Sequence, residues 1–189
     1  MPRSSANLTP GIPRLTPPLT IRPATAADLD AIAAVGVDAD TRFLAAGYPA
    51  FADGAAIPAD VAERAIVEAR LWVAERAGAL LGWSYQGRID GELCLGQISV
   101  AVSAGRQGVG TALLTALIDR ARSAGEPSVV LNTQADVPFN APWYQHHGFE
   151  VVPEAAWSDG LRRVTAAQEA GGMDWTHRVH LRLRLTPPG

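Results

Sequence analysis

The sequence predicts an α/β fold, a mixed central sheet of about seven strands flanked by helices, and three observations predict it. Seven short β-branched or alternating stretches recur between helix-like stretches from Leu19 to Leu185. Three of them, Leu71–Glu75, Leu80–Tyr85 and Glu92–Val102, follow one another across tight turns at Ala77-Gly78 and Asp90-Gly91, and so run antiparallel. The last of the three connects through a helix to Ser128–Thr133, and a strand-helix-strand unit of this kind is a right-handed parallel crossover.

The remaining elements follow in order. Residues 1–18, MPRSSANLTPGIPRLTPP, hold five prolines and little to bury, so a flexible tail is expected ahead of a single domain over 19–189. The tail lacks the apolar centre of a secretory signal, and its prolines deny it the amphipathic helix of a transit peptide. Leu19–Pro23 is the first strand, and Thr25-Ala-Ala-Asp28 opens a helix with Leu29, Ile32, Ala33 and Val35 inward. Asp38 to Ile57 is rich in Ala, Gly and aromatics without an assignable period. Pro58–Ala69 is a second helix, with proline near its first turn. After the antiparallel strands, Thr111 to Ser123 buries Leu113, Leu114, Leu117 and Ile118 and ends at Gly125. Asn140 caps a short helix that Gly148 terminates before Phe149–Val152. Asp159–Ala170 is helical, and Arg178–Leu185 alternates as a half-buried strand does.

Composition narrows the function classes. A 48% apolar, 19% charged chain with net charge -3 has no basic surplus for nucleic acid. No apolar run approaches a bilayer span, so a membrane partner is not expected. Cys94 is the one cysteine, which rules out an intrachain disulfide and suits a reducing cytoplasm. All 16 basic residues are arginine, so no lysine base or Schiff base operates here.

The chemistry concentrates in Gln97–Ala112, QISVAVSAGRQGVGTA, where an apolar strand runs through a glycine-rich bend into a helix. Gly105, Gly108 and Gly110 clear side chains from a helix start, whose unpaired N–H groups and dipole suit a pyrophosphate. A P-loop would need a lysine, and the chain has none. A dinucleotide fingerprint would need Gly-x-Gly-x-x-Gly, but here the order is reversed and no acid ends the strand Val129–Thr133. The stretch resembles motif A of the GNAT N-acetyltransferases, Q/R-x-x-G-x-G/A, departing from it where Gly105 stands for Gln or Arg and the arginine moves to Arg106. A second stretch, Ala-Pro-Trp-Tyr-Gln-His-His-Gly-Phe over 141–149, resembles motif B of the same family, and the order of elements over Leu19–Leu185 is similar to the whole GNAT core.

That resemblance implies a GNAT acyl-CoA N-acyltransferase fold with splayed fourth and fifth strands, and acetyl-CoA as co-substrate in the splay. By position, Ser99, Val100 and Val102 would meet the pantetheine, and Arg106, Gln107, Gly108, Val109, Gly110, Thr111 and Ala112 the pyrophosphate, with Asn140 nearby. Tyr144 would protonate the departing thiolate as general acid; the alternative is that it only packs beside Trp143. Glu92 is a candidate base, set against a plain role on a solvated face beside the hairpin. His146 and His147 complement a helix end, no spacing supports a metal, and Cys94 is a small core residue rather than a nucleophile. Tyr48, Phe51, Trp83, Trp157 and Trp175 are candidates to line an acceptor pocket, and Asp53, Asp159 and Asp174 to attract an amine; all serve equally as core and surface. The expected reaction is acetyl transfer to a small-molecule primary amine in a cytoplasmic enzyme. A non-catalytic CoA sensor, another acyl-CoA or another acceptor are the alternatives, and a homodimer accords with the resemblance.

Overall fold

A computed structural model describes residues 17–52 and 57–185. Nearly all of the expected tail, residues 1–16, and also Asp53 lie outside the described residues. In chain order the elements are β1 (Thr20–Pro23), α1 (Leu29–Asp40), α2 (Arg42–Ala45), α3 (Ala59–Val67), β2 (Leu71–Arg76), β3 (Ala79–Ile89), β4 (Glu92–Val100), α4 (Val109–Ser123), β5 (Ser128–Gln134), α5 (Ala141–His146), β6 (Glu150–Val151), α6 (Asp159–Ala170) and β7 (Arg178–Arg184). The seven strands form one sheet in the order β1-β2-β3-β4-β5-β7-β6, with β4 and β5 parallel and every other pair antiparallel. Two expectations are corrected. The fourth strand stops at Val100, because Val102–Ala104 tightens into a 3₁₀ turn. The strand over Phe149–Val152 shrinks to two residues at an edge, since β7 inserts between it and β5.

Alternation along the strands sorts the helices onto two faces. Val73 packs with Ile32 and Val35 of α1 and Ala65 of α3, whereas its neighbour Ala74 packs with Val109 and Leu113 of α4. On β5, Val129 and Leu131 join Leu114 and Leu117 of α4 and Tyr144 of α5, while Val130 meets Leu161 of α6. So α4 and α5 cover one face, and α1, α3 and α6 the other. Trp83 belongs to this core: it is fully buried and its Nε1 donates to the Ile32 carbonyl at 2.9 Å.

One irregularity positions the site. β4 and β5 pair only at Leu93 with Val129 and Cys94 with Val130; beyond these, β4 stays with β3 while β5 stays with β7. The split begins at a bulge, where Tyr85 faces Gln97 and Gln86 faces Leu95, leaving Gly96 as the extra residue. A bulge bends its own strand, here away from β5. Glycine is required there because a Cβ would sit 2.6 Å from the Tyr85 ring.

Candidate active site

The gap between β4 and β5 holds two adjoining cavities. The larger, about 590 Å³, is walled by Leu95–Ile98 of β4 and Leu131–Gln134 of β5. The smaller, about 280 Å³, runs from Ile98 and Val100 to the glycine bend. Asp40, Phe43, Ile98, Asn140 and Tyr144 line both, and so mark where the two spaces meet.

At the bend, Arg106 (φ 58°) and Gly108 (φ 78°) both take left-handed backbone, which costs little at glycine and makes Arg106 a strained position. Gly108 is the N-cap of α4, so the N–H groups up to Thr111 have no helical partner, whereas that of Ala112 already donates to the Gly108 carbonyl at 2.9 Å. Gly105, Arg106, Gly108, Val109, Gly110 and Thr111 line the smaller cavity. The free amides and the positive end of a 15-residue helix therefore face one space suited to an anion.

Along β4, main-chain direction separates neighbours. The Ser99 carbonyl lies 2.8 Å from where a Gly82 Cβ would stand, and the Ala101 N–H donates to Leu81 at 2.9 Å. Residues 99 and 101 are thus turned to β3, which leaves the main chain of Ile98 and Val100 directed into the gap, unpaired by β5. An amide-bearing chain laid there can bond to them as another strand would.

Four of the residues expected at a cofactor stand outside both cavities. Ser99 is buried, spends its main chain on β3 and accepts from the Gln97 amide at 3.0 Å. Val102 donates its N–H to Asp38 at 2.6 Å, with its side chain exposed. Gln107 turns outward, bonded to the Ser103 carbonyl and to Arg76. Ala112 is already inside the helix ladder. None of the four lines either cavity, whereas Val100, Arg106, Gly108, Val109, Gly110, Thr111 and Asn140 do. Asn140 also departs from its expected capping role: it stands at the N-cap of α5 without a side-chain cap bond.

Glu92, the expected base, is engaged elsewhere. Both its oxygens are held by Arg182, at 2.7 and 2.9 Å, and one also accepts from the Ser128 hydroxyl at 2.5 Å. It lines neither cavity. The carboxylate that does is Asp40, at the last position of α1. Two main-chain contacts clamp that helix end onto the β4 bend: Asp38 accepts from Val102, and Arg42 donates to the Ala101 carbonyl at 3.2 Å. Burial raises the Asp40 carboxyl to about 6, and the negative end of α1 acts in the same direction. Tyr144 is buried, stacked edge-on against Trp143 and Phe149, and burial alone pushes its phenol upward. Cys94 lines the larger cavity as a protonated thiol, raised to about 12 chiefly by burial and secondarily by the Glu92 charge.

Of the aromatic residues expected around an acceptor, only Phe51 lines the larger cavity. Trp157 and Trp175 instead pack around buried His180, at 4.7 and 4.8 Å between ring centres, and Tyr48 donates to Asp136 at 2.7 Å. Asp159 and Asp174 line neither cavity. Among the described residues no cluster of His, Cys, Asp and Glu is arranged to hold a metal, and no helix is long and apolar enough to cross a membrane. The sequence reading missed Asp40, Arg42 and Ile98; the one signal for Asp40 was that the inward spacing Ile32, Val35, Ala39 carries the first helix past Asp38.

Comparison with known proteins agrees with this architecture. Residues 68–151 match the family model described as an acetyltransferase (GNAT) domain. N-acetylglutamate synthase from Neisseria gonorrhoeae, solved with coenzyme A and N-acetyl-glutamate, superposes with TM-score 0.64 at 20% identity, over 89% of this chain and 35% of that one. The PaiA N-acetyltransferase from Thermoplasma acidophilum, in complex with coenzyme A, gives 0.68 at 13% identity over 89% and 99% of the two chains. The ribosomal-protein-alanine N-acetyltransferase from Brucella melitensis gives 0.61 at 23% identity over 88% and 99%. This chain therefore spans about a third of the synthase and the full length of the other two; at these identities the likeness is one of fold.

Proposed function

We propose that this chain, whose residues 68–151 match a GNAT acetyltransferase domain, moves an acetyl group from acetyl-CoA to the primary amine of a small molecule, by direct attack with both substrates bound. The observation that carries this reading is the pair of cavities meeting at Asp40, Asn140 and Tyr144, one lined by unpaired amides and the other open to a second reactant. Acetyl-CoA would supply an acetyl group activated as a thioester.

The chain's own groups divide the work. N–H groups from Gly108 to Thr111 and the α4 dipole hold the diphosphate, while Arg42 and Arg106 add positive charge beside it. The Ile98 and Val100 main chain fixes the amide-rich arm, and the Val100 N–H polarises the acyl carbonyl at its end. Asp40 takes a proton from the acceptor ammonium, directly or through a water, freeing the lone pair that attacks the carbonyl carbon. As the C–N bond forms and the C–S bond breaks, Tyr144 gives its proton to the sulfur and takes one back from Asp40, and the second proton of the attacking nitrogen leaves through the freed Asp40 carboxylate to solvent, giving a neutral amide and the CoA thiol. Burial that raises the phenol keeps it protonated at neutral pH, so its proton is in place when the thiolate forms.

The same reading takes 19–189 as one catalytic domain working in the cytoplasm. Thiol release from acetyl-CoA over a panel of amines tests it. Turnover that saturates in both substrates is expected; CoA binding without thiol release from any amine would reassign the protein as a sensor.

A further inference from the structure

The geometry points to an acceptor that carries a carboxylate as well as its amine, with Arg178 and Gln168 receiving the carboxylate while Asp40 receives the ammonium. This inference rests on the acetyl-transfer reading above and names the class of substrate for the same site. Asp40 is the only carboxylate among the described residues that line either cavity, and it stands where the two meet. Arg178 and Gln168 line the larger cavity alone, on the acceptor's side of that junction.

Among the described residues Arg178, at the first position of β7, is a cation without an anion. Its terminal nitrogens donate to two neutral amides, Gln134 Oε1 at 2.6 Å and Asn132 Oδ1, and none of the ion pairs among the described residues includes it. Its Nε is buried with no partner among the described residues. Gln168 Oε1, from α6, is a second buried polar atom without a partner in the same cavity. The other arginine lining that cavity, Arg88, is neutralised by Glu126.

Physical chemistry makes the pair informative. Buried polar groups are almost always satisfied, so two orphans on one cavity wall mark where a ligand's atoms belong. A guanidinium presents Nε and a terminal nitrogen as a fork that matches the two oxygens of a carboxylate. Burial lowers the Arg178 guanidinium only to about 10, so it remains charged at neutral pH, and no described residue supplies its counter-ion. The Gln168 amide can accept from the acceptor's backbone or, turned over, donate to the same carboxylate. Phe51, whose ring centre lies 5.9 Å from the guanidinium carbon, and Met173 supply apolar wall between polar ends. A cavity of about 590 Å³ accommodates an amino-acid-sized molecule beside an acetyl group.

The test measures thiol release with L-amino acids and ω-amino acids, each beside its own carboxamide, for wild type, Arg178→Gln and Arg178→Lys. In wild type the best acid is expected to exceed its amide at least tenfold in kcat/KM. Arg178→Gln should collapse that ratio towards one, with CoA affinity and melting temperature showing that the variant is folded; Arg178→Lys, which keeps the charge but loses the fork, should fall between. Amides used as well as acids by wild type, or an Arg178→Gln variant that keeps the wild-type ratio, would overturn the inference. Calorimetry of the same acids on CoA-loaded protein decides it independently of turnover: binding at least tenfold weaker in Arg178→Gln supports it, and equal binding overturns it. Absence of thiol release with every amine would instead overturn the acetyl-transfer reading, so the two failures are distinct.

Discussion

Tyr144→Phe isolates one hydroxyl. The ring contacts with Trp143 and Phe149, centroids 4.8 and 5.6 Å away, survive the change, and the cause of the raised phenol is burial alone, with no hydrogen bond to another residue. Stability should therefore move by less than about 1 kcal/mol, because no buried partner is left unpaired. Turnover should fall much further. A positioned acid contributes about 10²- to 10⁴-fold, or about 3–5 kcal/mol of barrier. Thiol release under saturating acetyl-CoA reads the loss, calorimetry with CoA checks that affinity stays within about twofold, and a thermal melt checks the fold. Turnover within about threefold of wild type would remove Tyr144 as the proton donor. A large drop in melting temperature would show that the hydroxyl holds a structural bond.

Asp40→Asn should cost about 10²-fold or more in kcat/KM and abolish the acidic limb expected of wild type near pH 6, measured as a pH–rate profile. Because the folded protein raises this carboxyl from 3.8 to about 6, the stability it contributes is full below pH 4 and is lost as pH rises through about 6. Asp40→Asn should then be more stable than wild type at pH 7 by about 1 kcal/mol, after allowance for partial solvent access, and no more stable at pH 4, as denaturant melts at the two pH values will show. Glu92→Gln should keep kcat within about threefold while lowering stability by about 1–3 kcal/mol, since Arg182 loses its partner; a hundredfold loss of kcat in a folded variant would restore Glu92 as a base. Gly96→Ala forces a Cβ against the Tyr85 ring and should cost about 1–3 kcal/mol in a urea melt; an unchanged midpoint would mean the bulge is not held by that contact.

Local pattern carried much of this in the sequence. The helix Asp159–Ala170 has the bounds its period implies, and the strand, glycine bend and helix at 97–123 differ by only a residue or two at the joins. The bend was legible because glycine spacing reports backbone geometry, and the place of Tyr144 because Pro142 and Gly148 bound a short helix around it. What pattern did not reveal is long-range. Asp40 enters the site only because Asp38 and Arg42 tie the end of α1 to residues about sixty positions away. The surroundings of Glu92 were hidden for the same reason: its partner Arg182 lies 90 residues on, at a β7 that inserts between β5 and β6. The direction of the Ser99 main chain was hidden because it depends on the pairing register past the Gly96 bulge, which is invisible in one strand alone, and that of Val102 because its N–H is taken by Asp38, 64 positions away.

The account turns on what occupies the gap between β4 and β5, and a crystal structure with bound acetyl-CoA measures it directly. The predicted result is a diphosphate on the amides of Gly108 to Thr111, an arm bonded to the main chain of Ile98 and Val100, and the thioester sulfur within hydrogen-bond reach of the Tyr144 hydroxyl. Acetyl-CoA bound elsewhere on the molecule, with Ile98, Val100 and Tyr144 untouched, would contradict it.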